Sequence, residues 1–413
     1  MDGSKFSTSL REDARKKIEH LRETDIVIGI PSYFSGSAIE HVLQTVITGL
    51  RLYFNKHKAL IVVFDGGSTD DTRECARSVS ADGYNIEVIV SIYRGIPGKG
   101  SSLRAVFEVA RFLKAKAVAV FDSDLKSIAP EWVKNVLDPI FEGYDFVAPD
   151  YYRYKFDGTI TNTIAYNLTR ALYGINIRQP IGGDFGVSSY LVRHYLDQDV
   201  WETDVAKFGI DIWMTTTAII NKFRVCQARL GAKIHGEKDP GGDLSPMFRQ
   251  VVGTIFTMME SHHDYWAAVS GSVDVPNFGE YCDTKIQEFD IDQDALIDYF
   301  KIGLENFGGV WERLFAPQDM AVIEQLAAQP DRELFHLPIK NWVRIVYRYA
   351  QAFHATPRQK FKVMDTMIPL YNARVASLIN ELKDKSMEDA EAYFNQQALV
   401  FVNMKPYLLE IWT

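Results

Sequence analysis

Two hydrophobic rhythms alternate along the first 125 residues. Short apolar runs at 25–30, 59–64, 86–90 and 117–121 are dense in Val, Ile and Phe and read as strands buried on both faces. Between them, residues 39–54 set Val42, Val46 and Leu50 at helical spacing, and residues 101–113 read as a helix. Another helix is predicted from near Thr69, with Asp70 and Asp71 in a first turn that favours negative charge. Pro31 is expected to stop the first strand, and the charged residues 6–23 predict an exposed helix ahead of it. Strand, loop and helix recur about four times, so the pattern predicts an α/β domain with a mostly parallel, Rossmann-like sheet and right-handed crossovers. Every loop that follows a strand then opens on the same edge, where ligands bind in such sheets.

The rhythm changes after residue 125. A strand is predicted at 145–149, followed by Asp150-Tyr151-Tyr152-Arg153-Tyr154, a helix at 161–173 and a glycine-rich turn at 179–186. A helix runs from 208–211 to about Asn221, and a strand at 224–230 exits through the polar stretch 231–239. Past about residue 275 the strand pattern stops, and 286–413 shows helical spacing, as in Trp342, Ile345, Val346 and Tyr349. The expected organisation is an N-terminal helix at 1–23, an α/β domain at 24–275 with halves 24–125 and 126–275, and an α-helical C-terminal domain at 276–413.

Composition narrows the function. The chain has 413 residues, 47% hydrophobic, enough for a sizeable core. A formal net charge of -9 argues against a nucleic-acid binder. Cys75, Cys226 and Cys282 lie far apart with no CxxC spacing, which fits free thiols in a reducing compartment. Residues 1–17 carry no signal-peptide core, and the longest apolar candidate, 251–259, falls short of the roughly 18 residues of a membrane span. A soluble, cytoplasmic protein is expected.

Asp122-Ser123-Asp124 ends the fourth apolar run. Two carboxylates at this spacing suit Mg²⁺ or Mn²⁺ shared with substrate phosphates, although Asp is also common at turns. Asp65 ends the second run ahead of Gly66-Gly67, where it can accept hydrogen bonds from a base or ribose or simply shape an acidic turn. Gly95-Ile96-Pro97-Gly98-Lys99-Gly100 precedes a helix, so its N–H groups and Lys99 are candidates for phosphate; it is neither a Walker A loop nor GxGxxG. His235, among Lys233, Glu237, Lys238 and Asp239, is a candidate third metal ligand. Gly182-Gly183-Asp184 can bring backbone and a carboxylate beside a ligand, and Asp211 opens a helix where Asp also serves as a cap. No GxSxG or other nucleophilic triad is visible.

Taken in order, Ile30-Pro31-Ser32, Asp65-Gly66-Gly67-Ser68-Thr69-Asp70, Gly98-Lys99-Gly100 and Asp122-Ser123-Asp124 resemble a nucleotide-sugar glycosyltransferase with the GT-A fold. Gln179-Pro180-Ile181-Gly182-Gly183-Asp184, Phe208-Gly209-Ile210-Asp211 and His235 narrow the resemblance to the retaining glucosyl-3-phosphoglycerate and mannosylglycerate synthases, whose motif is closer to QPLGGE. The resemblance covers roughly residues 24–260. It implies a DxD motif in which Asp122 and Asp124 flank a Mg²⁺ or Mn²⁺ ion, with Asp124 the direct ligand of the pair and His235 the third protein ligand. It further implies Lys99 with Gly98 and Ser123 near the donor phosphates, and Pro31, Ser32 and Asp65 in a uridine or guanosine pocket. Gly183 and Asp184 would lie beside sugar and acceptor, with Asp211 facing the donor sugar. Relatives often carry a glutamate after the first strand; here the loop is Ser32-Tyr33-Phe34-Ser35-Gly36-Ser37.

The implied reaction moves glucose or mannose from a UDP- or GDP-hexose to glycerate, 3-phosphoglycerate or a similar small anion, with retention. Asp184 or Asp211 would orient sugar hydroxyls, and Arg153, Lys155 and Arg178 are basic candidates for the acceptor. If configuration is inverted, Asp184 or Asp211 would instead act as base. Other readings are an inverting transferase on a lipid-linked or polysaccharide acceptor, for which QxxRW and membrane spans are missing, a nucleotidyltransferase, and a non-catalytic nucleotide-sugar-binding protein. The helical C-terminal part is expected to offer a homodimer surface.

Overall fold

The computed structural model describes residues 7–81, 85–235, 245–282 and 285–412. They form two compact units, neither contiguous in sequence: one from 7–81, 85–153, 177–235, 274–282 and 285–287, the other from 154–176, 245–273 and 288–412. Segments 154–176 and 245–273, expected in the α/β domain, therefore cluster with the C-terminal helices.

In the first unit the strands are β1 (Ile26–Ser32), β2 (Ala59–Asp65), β3 (Ile86–Ile92), β4 (Ala117–Val120) and β5 (Phe146–Tyr152). Two-residue strands β6 (Ile175–Asn176) and β9 (Val273–Asp274) lie outside the main sheet, which β7 (Phe185–Ser188), β8 (Val225–Ala232) and β10 (Asn277–Phe278) complete. The sheet order is β10-β8-β5-β7-β4-β1-β2-β3. All pairs are parallel except those of β7, which runs antiparallel to both β4 and β5. Residues 185–186 were expected in a turn; they begin this strand instead. Its register, Val120↔Phe185, delivers Asp184 to the carboxyl edge of β4 beside Asp122. β10 likewise adds a short strand beyond residue 275.

The flanking helices are α1 (Glu12–Glu19), α2 (Ile39–Tyr53), α3 (Thr72–Ser78), α4 (Lys99–Phe112) and α5 (Pro130–Phe141). Helix α3 starts later than expected because the Asp70 carboxylate holds the Thr72 N–H and hydroxyl. The core on one face joins Val42, Val46 and Leu50 of α2 to Trp132, Val133 and Val136 of α5 and to the β1, β2 and β4 side chains. Burying such side chains contributes about 1.5–3 kcal/mol each. Pro31 does not stop β1. Gly29 O accepts from Phe121 N–H on the β4 side and Ser32 O from Gly66 N–H on the β2 side, so Pro31 faces the β4 flank. There β4 has already ended its pairing at Gly29↔Val120, and no ladder bond is lost.

The second unit is helical. Trp342, Ile345, Val346 and Tyr349 are all buried on the helix Ile339–Ala355, as their spacing implied. Arg374 is 0% exposed and forks onto both oxygens of Glu381 at 2.8 Å, with Gln397 and Tyr393 on the same guanidinium. Among the described residues no helix is long and apolar enough to cross a membrane; 251–259 lies inside the helix Ser245–Ser261.

Candidate active site

Five charged side chains meet where β4 leaves the sheet. Asp122 receives Lys99 Nζ on Oδ1 at 2.8 Å and Lys233 Nζ on Oδ2 at 2.7 Å. Lys99, at the start of α4, also reaches Gly183 O at 3.3 Å and Asp211 Oδ2 at 3.4 Å. Lys233, where β8 ends, also reaches Gly182 O at 2.8 Å and Asp184 Oδ2 at 3.0 Å. Asp184 Oδ1 accepts the Asp122 N–H at 2.8 Å, and its Oδ2 accepts the Tyr151 hydroxyl. Three carboxylates thus face two ammonium groups. Gly183 sits at φ +92, and a Cβ there would lie 2.3 Å from Asp122 Oδ2 and 3.0 Å from Lys233 Nζ. Only glycine lets the turn close over the pair.

Burial and charge set the protonation states in opposite directions. Burial works against the charge on Lys99 and Lys233, but the surrounding aspartates prevail and hold both above the usual lysine value. Asp122 is drawn well below the ordinary carboxylate range, because two lysines outweigh its burial. Burial pushes Asp184 and Asp211 upward, against the pull of Lys233 and Lys99. The two differ in access. Asp184 is 0% exposed with both oxygens engaged, whereas Asp211 leaves Oδ1 buried without a hydrogen-bond partner. Of the two, Asp211 is therefore the carboxylate with capacity for a further partner; Asp184 ties β7 to the end of β4.

The flanking loops show how two of the expected groups are engaged. Asp65 is fully buried and accepts from Gly67 N, Ser68 N, Ser68 Oγ and Ser32 Oγ, so its carboxylate organises the β2 loop. The glycine-rich loop is no open phosphate cradle. Gly98 N–H donates to Tyr93 OH at 2.8 Å and Gly100 N–H to Lys207 O at 3.2 Å. A Cβ on Gly100 would lie 1.8 Å from Val205 O, so its glycine serves close packing. Ser123 Oγ meets Ser35 Oγ at 2.7 Å, tying the β1 loop to the acidic motif.

Asp124 and His235 are brought to neighbouring backbones. Leu125 and His235 form an antiparallel bridge, and Lys126 N donates to Ile234 O at 2.8 Å. Asp122 does not join them as a free donor, since both its oxygens carry a lysine. Among the described residues no group of three His, Cys, Asp or Glu side chains is assembled to hold a metal. Glu237, Lys238 and Asp239 lie outside the described residues. A hydrated Mg²⁺ or Mn²⁺ takes one or two carboxylates beside substrate phosphates, and the Leu125–His235 bridge sets Asp124 and His235 on adjoining backbones.

Of the basic candidates, Arg153 stands over the Tyr151 ring at 5.2 Å, near Lys233. Lys155 Nζ instead caps backbone carbonyls of Lys383 and Lys385, and Arg178 N–H binds Gln227. Sequence reasoning missed Lys233 and Tyr151 as members of the cluster. The available signal was a lysine amid Leu230-Gly231-Ala232-Lys233-Ile234, a charge in an apolar strand exit.

Residues 27–198, less than half of the chain, match the family described as Glycosyl transferase family 2. The chain is 29% identical over 164 residues to Glycosyltransferase AglJ of Haloferax volcanii, covering 38% of this chain and 48% of the relative. It is 25% identical over 216 residues to Glucosyl-3-phosphoglycerate synthase of Mycolicibacterium paratuberculosis, covering 48% of this chain and 62% of that one. The chain thus spans less than two thirds of either relative. Among solved structures, it is similar to glucosyl-3-phosphoglycerate synthase from Mycobacterium tuberculosis in complex with Mn²⁺, UDP and glucosyl-3-phosphoglycerate, with a TM-score of 0.44, 22% identity, and coverage of 62% of this chain and 86% of the other.

Proposed function

We propose that the protein transfers glucose or mannose from a UDP- or GDP-sugar to a small anionic acceptor such as glycerate or phosphoglycerate. The observation that carries the reading is the Asp122-Ser123-Asp124 motif at the β4 edge, inside the family match, with Lys99 and Asp211 converging on it. Asp124 and His235 would hold Mg²⁺ or Mn²⁺, which would neutralise charge on the departing diphosphate. Lys99, kept charged by its aspartate partners, adds fixed positive charge on the same side. The unpartnered Asp211 Oδ1 accepts a hydrogen bond from a hydroxyl of the donor sugar. Arg153 offers a guanidinium for the acceptor's carboxylate or phosphate.

We infer retention: Asp184 is buried behind Lys233 and Tyr151 with both oxygens engaged, which supports transfer of the acceptor's proton to the leaving phosphate on the face of attack. One observation favours inversion instead: Asp211, raised by burial and with a free oxygen, has the attributes of a general base. Anomeric NMR of the product from an α-linked donor decides. An α product supports retention, and a β product assigns Asp211 as base. The reaction itself is tested by screening UDP- and GDP-hexoses with glycerate and phosphoglycerate; absence of transfer from every donor would reject the assignment.

A further inference from the structure

We infer that Glu108, paired with Arg104, is a positioning residue for the transfer reaction: it clasps the chain on two sides of the site against α4 and so sets Lys99 and Asp211 against each other. The inference rests on the glycosyltransferase reading and adds to it a residue remote from the reacting atoms.

Lys99 opens α4, and Glu108 lies further along the same helix. Its side chain is 9% exposed. A carboxylate so placed is costly unless hydrogen bonds and an opposite charge hold it. Thr8 Oγ donates to its Oε2 at 2.5 Å, and Ser9 N–H donates to the same oxygen at 3.0 Å. Arg104 Nε stands 3.1 Å from Oε1. These partners lead back to the site by two paths.

The first path is the chain ahead of α1. Leu10 N–H donates to Thr8 Oγ at 3.1 Å, so the hydroxyl that reaches Glu108 also closes a turn. Ser9 O accepts the Arg94 N–H at 2.8 Å, and Arg94 starts the loop that ends at Lys99. At Gly95, with φ +137, a Cβ would lie 3.1 Å from Ser101 Oγ and 3.7 Å from Ser9 Oγ, so this chain and α4 enclose the loop. The second path starts at Arg104, whose guanidinium lies 5.6 Å from the centre of the Trp201 ring. Trp201 packs edge to face on Trp213 at 5.7 Å. Trp213 belongs to the helix Ile210–Ile220, whose first turn carries Asp211. Glu108 thus joins the two segments whose side chains meet as Lys99 Nζ and Asp211 Oδ2 at 3.4 Å.

The departing diphosphate gains charge only as the sugar leaves, so Lys99 has to stand at the right place at that moment. A misplacement of about 1 Å costs on the order of a hundredfold in rate. Loosening either path permits such a shift without touching the site.

The test is steady-state transfer by the whole protein with Mn²⁺ and the best nucleotide-sugar donor, as a double-mutant cycle of Glu108→Ala and Lys99→Met. Glu108→Ala is expected to lower kcat about tenfold or more while the donor KM stays within about threefold. In the Lys99→Met protein, whose ammonium is already gone, the same change should cost less than about twofold. Glu108→Gln keeps one oxygen for Thr8 and Ser9 but loses the ion pair with Arg104, so its kcat should fall between those of the native protein and Glu108→Ala; it carries the cycle if Glu108→Ala does not fold. Hydrogen exchange should rise in peptides covering 93–100 and 205–212 of the Glu108 variant. Unchanged kcat in that variant overturns the positioning role. So does a loss that multiplies fully with that of Lys99→Met, or exchange that rises at 7–11 alone, either of which would leave Glu108 a tether for the chain ahead of α1. Native protein that transfers from no donor overturns the glycosyltransferase reading and the positioning role together.

Discussion

Replacing Lys233 by methionine removes one ammonium from the aspartate cluster while nearly preserving side-chain volume. Lys233 Nζ lies 2.7 Å from Asp122 Oδ2 and 3.0 Å from Asp184 Oδ2, with its side chain 3% exposed. At an effective dielectric of about 20, each contact is worth roughly 6 kcal/mol of gross attraction. Desolvation of the ions offsets several kcal/mol per group, so the net cost of removing one partner from such a buried pair is about 3–5 kcal/mol. Asp122 would retain Lys99, but Asp184 would be left with Tyr151 and one backbone N–H. The assay is urea denaturation, with hydrogen exchange on peptides of β4, β7 and β8, because a chain of two units need not unfold in one step. Lys233→Met should lower local stability there by about 3–5 kcal/mol. Adding Asp184→Asn should recover part of the loss, with a coupling energy of at least about 1 kcal/mol. A single-variant loss under about 1 kcal/mol, or strict additivity, would refute an ion-paired Lys233.

Gly183→Ala should cost at least about 1–2 kcal/mol from the left-handed backbone alone, and should also dislodge Asp122, whose Oδ2 would lie 2.3 Å from the new Cβ; denaturation and donor affinity read the two effects. Asp211→Asn should lower kcat/KM about tenfold or more, the worth of a hydrogen bond to a charged group, as steady-state kinetics would report. In the helical unit, burial disfavours Glu381 ionisation, but His336 and Arg374 outweigh it and bring its carboxyl from 4.5 down to about 2. A lowered carboxylate value stabilises the folded state above the unfolded value and loses that contribution as pH falls. Stability should therefore decline by roughly 3 kcal/mol between pH 4.5 and 2 from this group, and the decline should be blunted in Glu381→Gln.

Much of the sheet was legible because buried parallel strands write continuous Val and Ile runs, and α2 and α4 write a 3.6-residue period. β7 was not. It has four residues, follows a double glycine, and its antiparallel course is set by pairing with β4 and β5, which no local pattern records. Helix α5 was not expected, although Trp132, Val133, Val136, Leu137 and Ile140 carry helical spacing between Pro130 and Phe141. At the site, Lys99, Asp122, Gly183, Asp184 and Asp211 were each singled out and do converge. Their relations were hidden, because spacing shows which residues leave strand ends and not which partners saturate them. Asp65 illustrates this: its position matched a ligand contact, yet Ser32, Gly67 and Ser68 fold onto its oxygens. Lys233 was passed over for a similar reason, since its partners come from β4 and from the turn before β7.

The central claim is metal-dependent transfer of a hexose at the Asp122-Ser123-Asp124 edge. The most direct measurement is release of UDP or GDP from the best donor, with acceptor, across a Mn²⁺ titration of native protein and Asp124→Ala. Saturable, metal-dependent release in the native protein, lost in the folded variant, is the expected result. Release that is indifferent to Mn²⁺, or equal in the two proteins, would contradict it.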